Sequence, residues 1–167
     1  MRWIAVALAC LSVAAGALAA GPLRVVSAHG IRVRVPAGWH QLGPTPSSID
    51  DPRTLLVVGT VGVRWNLKSV CQIAPYRVPA TGAVVVIVGW KTATSGGGTG
   101  TSTGRAPLEK LVRVSRPSFE CYAGRGAAAG LTLGRKAYQV NVMVGDRASK
   151  AQVGEALAIA RSFDLLR

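Results

Sequence analysis

The chain has 167 residues, a formal net charge of +13 and a hydrophobic fraction of 49%. Once a leader is set aside, this length fits one domain with its own core and excludes two domains of comfortable size. The basic residues are dispersed along the chain and never form a run of five or more, which argues against a nucleic-acid-binding tail. An excess of Arg over Lys, together with much Ala, Gly and Val, suggests a GC-rich coding sequence, which leaves open whether the positive charge is functional or compositional.

The first 20 residues have the layout of a secretory signal peptide. The basic residue Arg2 is followed by a long uncharged stretch that is rich in Ala, Val and Leu. An A-x-A pattern at the end of this stretch predicts cleavage after Ala19 or Ala20. We therefore expect a secreted, extracytoplasmic chain with a single domain over residues 21–167.

Two other interpretations of this leader stay open. Its uncharged stretch reaches the lower limit of what spans a bilayer, so an uncleaved leader would anchor the domain. Only in that case do we expect membrane contact. A lipoprotein acylated at Cys10 is less favoured, because the apolar run before Cys10 is short and Ala7 replaces the usual larger aliphatic residue.

Cleavage of the leader leaves two cysteines, Cys71 and Cys121, in an oxidising compartment. The pairing expected there is one disulfide, worth about 4 kcal/mol in the chain-entropy model. A metal site is the alternative, but neither cysteine belongs to a C-x-x-C unit. Only His29 and His40 could join them, and both lie far away in sequence. No metal ligand is assigned.

The mature chain opens with two predicted strands, residues 23–27 and 31–35, joined by a short turn that contains glycine. In the second strand Arg32 and Arg34 alternate with aliphatic residues, which indicates one buried and one solvated face. Pro36, Gly38 and Trp39 predict the end of this strand.

The middle of the chain is rich in β signals. Residues 54–63 form a Val-rich block, and residues 83–90 lack polar alternation, which predicts a central strand covered on both faces. Residues 94–104 contain only Gly, Ser and Thr, which is typical of a flexible surface loop. Residues 131–133 and 137–144 predict the last hairpin.

An amphipathic helix is predicted near the C-terminus. Ser149 and Gln152 have the spacing of a capping box, and Val153, Ala156 and Leu157 recur at helical intervals. The predicted fold class is therefore α+β: an antiparallel β-sheet with this C-terminal helix packed on it, an α/β sandwich.

Two short motifs carry a resemblance to a known family. Residues 30–39, GIRVRVPAGW, are similar to the G-x-(strand)-P-x-G-W opening of PsbP-like domains, and residues 156–163 look like their closing helix followed by Ser-Phe. Similar openings occur in secreted actinobacterial proteins of unknown function. The resemblance implies an antiparallel sheet flanked by helices and a non-catalytic accessory or binding role. The cysteine pair and the glycine-rich loop are not part of this pattern, and no metal-binding residue of the family can be matched.

Catalytic signatures are scarce in the sequence. A hydrolase triad would need one of only two histidines, and no G-x-S-x-G elbow is present. The seven acidic residues fit surface or helix-capping roles better than a catalytic pair of carboxylates in a cleft. Residues 124–130 superficially match a dinucleotide fingerprint, but strand-like residues follow where a helix is required, which predicts a flexible β connection instead. No catalytic residue and no cofactor are assigned.

The arginines of the first hairpin suggest a local basic patch formed by Arg24, Arg32 and Arg34. Trp39 or Tyr138 would serve as an aromatic platform beside it. The leading hypothesis is a secreted, non-enzymatic binding or accessory domain with an unknown protein or an anionic envelope polymer as partner. The alternatives are a basic binder of envelope polymer or lipid head groups, and an enzyme with an unrecognised site. No nucleic-acid partner is expected.

Overall fold

The computed structural model describes residues 21–43, 49–68, 75–92, 102–103, 124–133 and 135–166. Within these ranges the chain forms one helix, α1 (Lys150–Arg161), and short to medium strands. The strands are β1 (Arg24–Ala28), β2 (Ile31–Val35), β3 (Trp39–Leu42), β4 (Arg53–Thr60), β5 (Arg64–Trp65), β6 (Tyr76–Arg77), β7 (Ala83–Gly89), β8 (Ser102–Thr103), β9 (Arg125–Leu133), β10 (Lys136–Val144) and β11 (Asp164–Leu165).

These strands form three sheets. The largest has the order β3-β4-β7-β10-β9-β8, a second has the order β1-β2-β11, and β5 pairs with β6. All pairings are antiparallel except that of β8 with β9, which is parallel. The predicted α+β class with a mainly antiparallel sheet and a packed helix is confirmed. The expected loop at residues 94–104 includes β8, and the rest of that loop lies outside the described residues.

The centre of the large sheet is β7, whose seven residues are all buried. It lies between β4 and β10, and apolar side chains cover both of its faces. Val85 and Ile87 face α1 and the first hairpin, whereas Val84 and Val86 face a second cluster that includes Tyr76. The absence of polar alternation in this segment correctly predicted burial on both faces.

The first hairpin also forms as predicted. His29 and Gly30 have φ angles of 50° and 78°, as the two central residues of a type I′ turn require. Ile31 and its alternate neighbours Val33 and Val35 are buried in the main core.

The helix begins at the predicted capping box. The Ser149 Oγ accepts the Gln152 N–H at 3.2 Å, and the Gln152 Oε1 accepts the Ser149 N–H at 3.1 Å. The Gln152 Nε2 also donates to the Thr81 carbonyl at 2.5 Å, which ties the helix start to the turn before β7. The helix contacts β2, β7 and β10, and its buried residues are Ala156, Leu157, Ile159 and Ala160.

Two parts of the sheet differ from the prediction. Residues 125–130 were expected to be a flexible connection but belong to β9, which pairs with β10 along all of its nine residues. Alanine and glycine favour strands weakly, yet their backbone groups complete the ladder, so pairing with a long neighbour overrides propensity. The sequence also predicts a strand end at residues 36–39. Trp39–Leu42 instead forms a further strand, β3, which pairs with β4 at the edge of the large sheet.

A turn and a hydrogen bond connect β3 to the helix. The Trp39 N–H donates to the Pro36 carbonyl at 3.4 Å, and Gly38 at φ +82° supplies the positive φ of a type II turn. The Trp39 side chain is buried, and its Nε1 donates to the Glu155 Oε2 at 2.8 Å. The start of the large sheet is thus fixed to the middle of α1.

Removal of this carboxylate should therefore destabilise the domain. We expect Glu155→Ala to lower the free energy of unfolding by about 1–2 kcal/mol, because the buried Trp39 N–H loses its acceptor. Glu155→Gln keeps an acceptor oxygen and should lose less than half of that. Urea denaturation of both variants checks this, and equal losses would contradict a role for the hydrogen bond.

Candidate functional site

A cleft of about 330 Å³ lies at one end of the large sheet. The register places Arg53 of β4 and Tyr138 of β10 on either side of Gly89, the last residue of β7. Lys91 follows β7 and Lys136 begins β10, so both also reach this end of the sheet. Its lining consists of His29, Asp50, Asp51, Arg53, Leu55, Gly89, Trp90, Lys91, Lys136 and Tyr138.

The floor of the cleft depends on Gly89. A Cβ at this position would lie 2.5 Å from the Leu55 Cδ1 and 3.5 Å from the Tyr138 Cδ1. The missing side chain therefore lets Leu55 and Tyr138 approach each other across β7. The Tyr138 ring also packs against Phe163, with ring centroids 5.4 Å apart and planes inclined by 55°. Phe163 follows α1, so the helix end supports this floor.

Tyr138 is 6% exposed, and desolvation by burial raises the pKa of its hydroxyl above the ordinary 10.0. The hydroxyl therefore stays protonated at neutral pH and keeps a proton to donate. A protonated phenol beside cationic side chains can complete the hydrogen bonding of an anionic group.

The raised pKa of Tyr138 predicts a pH effect on stability. Because the folded pKa exceeds the unfolded one, this contribution is complete below about pH 10 and is lost as the pH rises through the folded value. As the pH rises from neutral to above 10, the parent chain should therefore lose more stability than Tyr138→Phe. Urea midpoints measured across this range test the prediction, and parallel losses in the two chains would contradict it.

The rim of the cleft carries more positive than negative side chains. Arg53, Lys91 and Lys136 are exposed there, facing the carboxylates of Asp50 and Asp51. The Asp51 Oδ1 accepts the backbone N–H of Lys91 at 3.1 Å, so this carboxylate holds the segment after β7. The cationic heads remain at the surface. Such a rim favours an anionic ligand, and an Arg guanidinium can donate two hydrogen bonds to a carboxylate or phosphate.

The arginines of the predicted basic patch do not share one face. Val25 lies opposite Arg34, so these two side chains share one face of the ribbon. Arg24 precedes Val25 and lies opposite Val35, so its side chain is on the other face. The Arg24 guanidinium donates to the Trp39 carbonyl at 2.6 Å. Of the three arginines suggested for the patch, only Arg32 and Arg34 therefore share a face.

Of the two arginines that do share a face, Arg32 is paired. Its Nη2 lies 2.8 Å from the Asp164 Oδ2, and both side chains are about half exposed. A bridge as exposed as this is worth less than about 1 kcal/mol, but it reduces the positive charge of the patch. Neither suggested aromatic offers an exposed platform beside the patch, since the Trp39 side chain is buried and Tyr138 lines the cleft.

The two histidines also occupy different places. His29 lines the cleft beside Asp50 and Asp51, while His40 belongs to β3 and faces no cleft carboxylate. The described lining contains no Ser or Cys, the nucleophiles that a His-based triad would activate. Across the described ranges, no group of three His, Cys, Asp or Glu side chains could hold a metal ion.

Several predicted features lie outside the described residues. These are the leader with its cleavage site at Ala19 or Ala20, and the cysteines Cys71 and Cys121. Their disulfide remains a prediction that thiol titration before and after reduction would test. In the part of the chain that the structure describes, no helix has the length and apolar character to cross a bilayer.

The cations of the cleft were missed in the sequence. The one feature that could have indicated them is position, because each cation stands at the boundary of a predicted strand: Arg53, Lys91 and Lys136. That signal becomes informative only when the pairing of β4, β7 and β10 is known, because the register decides which strand ends meet.

Comparisons of the chain with protein-family models, with curated proteins and with solved structures return no match. The function is therefore inferred from the chemistry of the cleft.

Proposed function

We propose that the chain is a secreted, non-enzymatic binding domain that holds a small anionic ligand in the cleft at the strand ends. The observation that carries this proposal is the rim of Arg53, Lys91 and Lys136 around an apolar floor. A volume of about 330 Å³ lies at the lower end of the range for small-molecule pockets. Carboxylate or phosphate groups are the partners that such a rim favours.

The floor suggests the shape of the ligand. Leu55, Trp90 and Tyr138 offer apolar surface, while the Tyr138 hydroxyl offers a hydrogen-bond donor. A ligand with one acidic group and a ring or alkyl portion would satisfy both the rim and the floor. The acidic end of an envelope polymer has the same chemistry, so that partner remains an alternative within this proposal.

The non-enzymatic role is favoured by the described lining, where His29 and the carboxylates of Asp50 and Asp51 have no serine or cysteine nucleophile beside them. A hydrolytic activity that is abolished by His29→Ala, with the fold intact, would overturn this part of the proposal. The secreted location rests on the leader, and N-terminal sequencing of the exported chain would test it.

The finer fold assignment, a PsbP-like sandwich, is also a proposal. It is supported by contact between the two motif segments, since the Ser162 Oγ accepts the Arg34 N–H at 2.8 Å. This hydrogen bond, from a backbone N–H to a side-chain hydroxyl, connects β2 to the residue that follows the closing helix.

Calorimetric titration of the exported chain tests the binding proposal. The probes are glucose 6-phosphate, benzoate and inorganic phosphate, with glucose as the uncharged control. We expect the anions to bind at low salt and glucose not to bind. Raising the salt from about 0.02 M to 0.5 M should weaken anion binding about tenfold, because these charges are exposed. Absence of anion binding at low salt, or equal binding of glucose, would refute the proposal.

A further inference from the structure

The three-stranded sheet has an outer face that combines exposed apolar side chains with arginine. Leu23 is 58% exposed, Val25 is 60% exposed and Leu166 is 46% exposed. These are large apolar residues at the surface of a small domain. Leu23 and Val25 lie at one end of the sheet, and Leu166 lies at the other end, beside Gly30. The outer face is defined here by Leu23, Val25, Arg32, Arg34, Asp164 and Leu166.

The strand register places these side chains on one side. Val25 lies directly opposite Arg34, so the two share a face of the ribbon. Asp164 of β11 lies opposite Arg32, and the Leu166 N–H donates to the Gly30 carbonyl at 2.9 Å, which continues the same pairing.

The other face of this sheet is already covered. Val26, Ile31, Val33 and Val35 point inward and are buried in the main core. The outer face is therefore the side of the sheet that remains to meet a partner. The apolar residues of the outer face contribute little to the core, so packing of the core does not explain why they are apolar.

Charge indicates which partner this face fits. Arg34 is exposed and stands beside Val25, while Arg32 is paired with Asp164. The whole chain carries a net charge of +13. Apolar side chains flanked by arginine are the combination that inserts into the interface of an anionic bilayer.

The position of the leader supports the same partner. Residues 3–20 are uncharged and largely apolar, and they end immediately before Gly21. Leu23 follows two residues later, so it lies within about 10 Å of the end of the apolar segment. A leader that is still in the bilayer, during export or as an anchor, would hold Leu23 and Val25 at the lipid surface.

We infer that the outer face rests on a membrane rich in anionic lipid, with Leu23, Val25 and Leu166 entering the interface and Arg34 facing the head groups. This contact is independent of the ligand proposed for the cleft. It develops the sequence-based alternative of a binder of lipid head groups, because it names the face and the apolar residues that make the contact.

A pair of tryptophan variants tests this inference in the exported chain. Val25→Trp places the probe on the outer face, and Val61→Trp places it at a residue that is 77% exposed in the turn after β4. The vesicles contain brominated phosphatidylcholine with an equal part of phosphatidylglycerol, or brominated phosphatidylcholine alone. The parent chain, with Trp39, Trp65 and Trp90, gives the background to subtract. Above this background we expect strong quenching and a blue shift for Val25→Trp with the anionic vesicles and little change for Val61→Trp.

Charge variants complete the experiment in the Val25→Trp background. Arg34→Glu should weaken vesicle binding about fivefold or more, whereas Arg64→Glu, on exposed β5, should change it less. Circular dichroism verifies that both variants are folded. Equal quenching at positions 25 and 61, or no quenching with anionic vesicles, would overturn the inference. This holds even if the chain keeps its leader as an anchor. Binding to soluble polyphosphate without binding to vesicles would also overturn it.

Discussion

Gly145→Ala is expected to lower the free energy of unfolding by about 3 kcal/mol. Gly145 directly follows β10, and its N–H donates to the Gly82 carbonyl at 2.9 Å. A Cβ at this position would overlap the carbonyl oxygens of Pro79 and Ala80. These atoms are backbone, so a side-chain rotation cannot relieve the overlap and the segment before β7 must move.

Gly154→Ala is the matched control for this substitution. Gly154 lies on the exposed side of α1, and no atom would lie within 4 Å of an added Cβ. Alanine should stabilise the helix there by about 0.5–1 kcal/mol, because glycine loses more backbone entropy on folding. Urea denaturation measures both variants. A Gly145→Ala chain within about 1 kcal/mol of the parent would show that Pro79 and Ala80 move easily.

The second large effect concerns the cleft. We expect Arg53→Ala combined with Lys136→Ala to weaken binding of glucose 6-phosphate about tenfold or more. Each of these exposed cations contributes up to about 1 kcal/mol to an ion pair, so the loss of two accounts for a change of this size. Both side chains are exposed, which means that the fold should tolerate their removal.

A double variant away from the cleft serves as the control for that loss. Arg64→Ala with Lys150→Ala removes the same number and kinds of charge from β5 and from the start of α1. If binding depends on contacts in the cleft, this variant should lose less than about threefold, the share expected from net charge alone. Similar losses in the two double variants would mean that general charge attraction, rather than the cleft, accounts for binding.

The elements with a strict local pattern could be predicted from the sequence. Residues 31–35 alternate, residues 83–89 are continuously apolar, and the pair Ser149 and Gln152 marks the start of α1. Each of these signals is produced by the same residues that form the element. Their physical cause is local, so no knowledge of the partner strand is needed.

The cleft and the arginine arrangement depended on register, which the sequence does not specify. Arg24 lies opposite Val35, so it lies on the face opposite to that of Arg34. A shift of one residue in this pairing would have placed it on the same face. The cleft likewise forms only because Gly89 lies between Arg53 and Tyr138 in the sheet.

The central claim is that the cleft at the strand ends binds an anionic ligand. Amide chemical-shift mapping with glucose 6-phosphate tests it most directly, because each backbone amide reports on its own surroundings. We predict that the largest shifts cluster at Arg53, Gly89, Lys91, Lys136 and Tyr138, and that they saturate together. Shifts spread evenly over the exposed arginines and lysines, or concentrated away from these strand ends, would contradict the account.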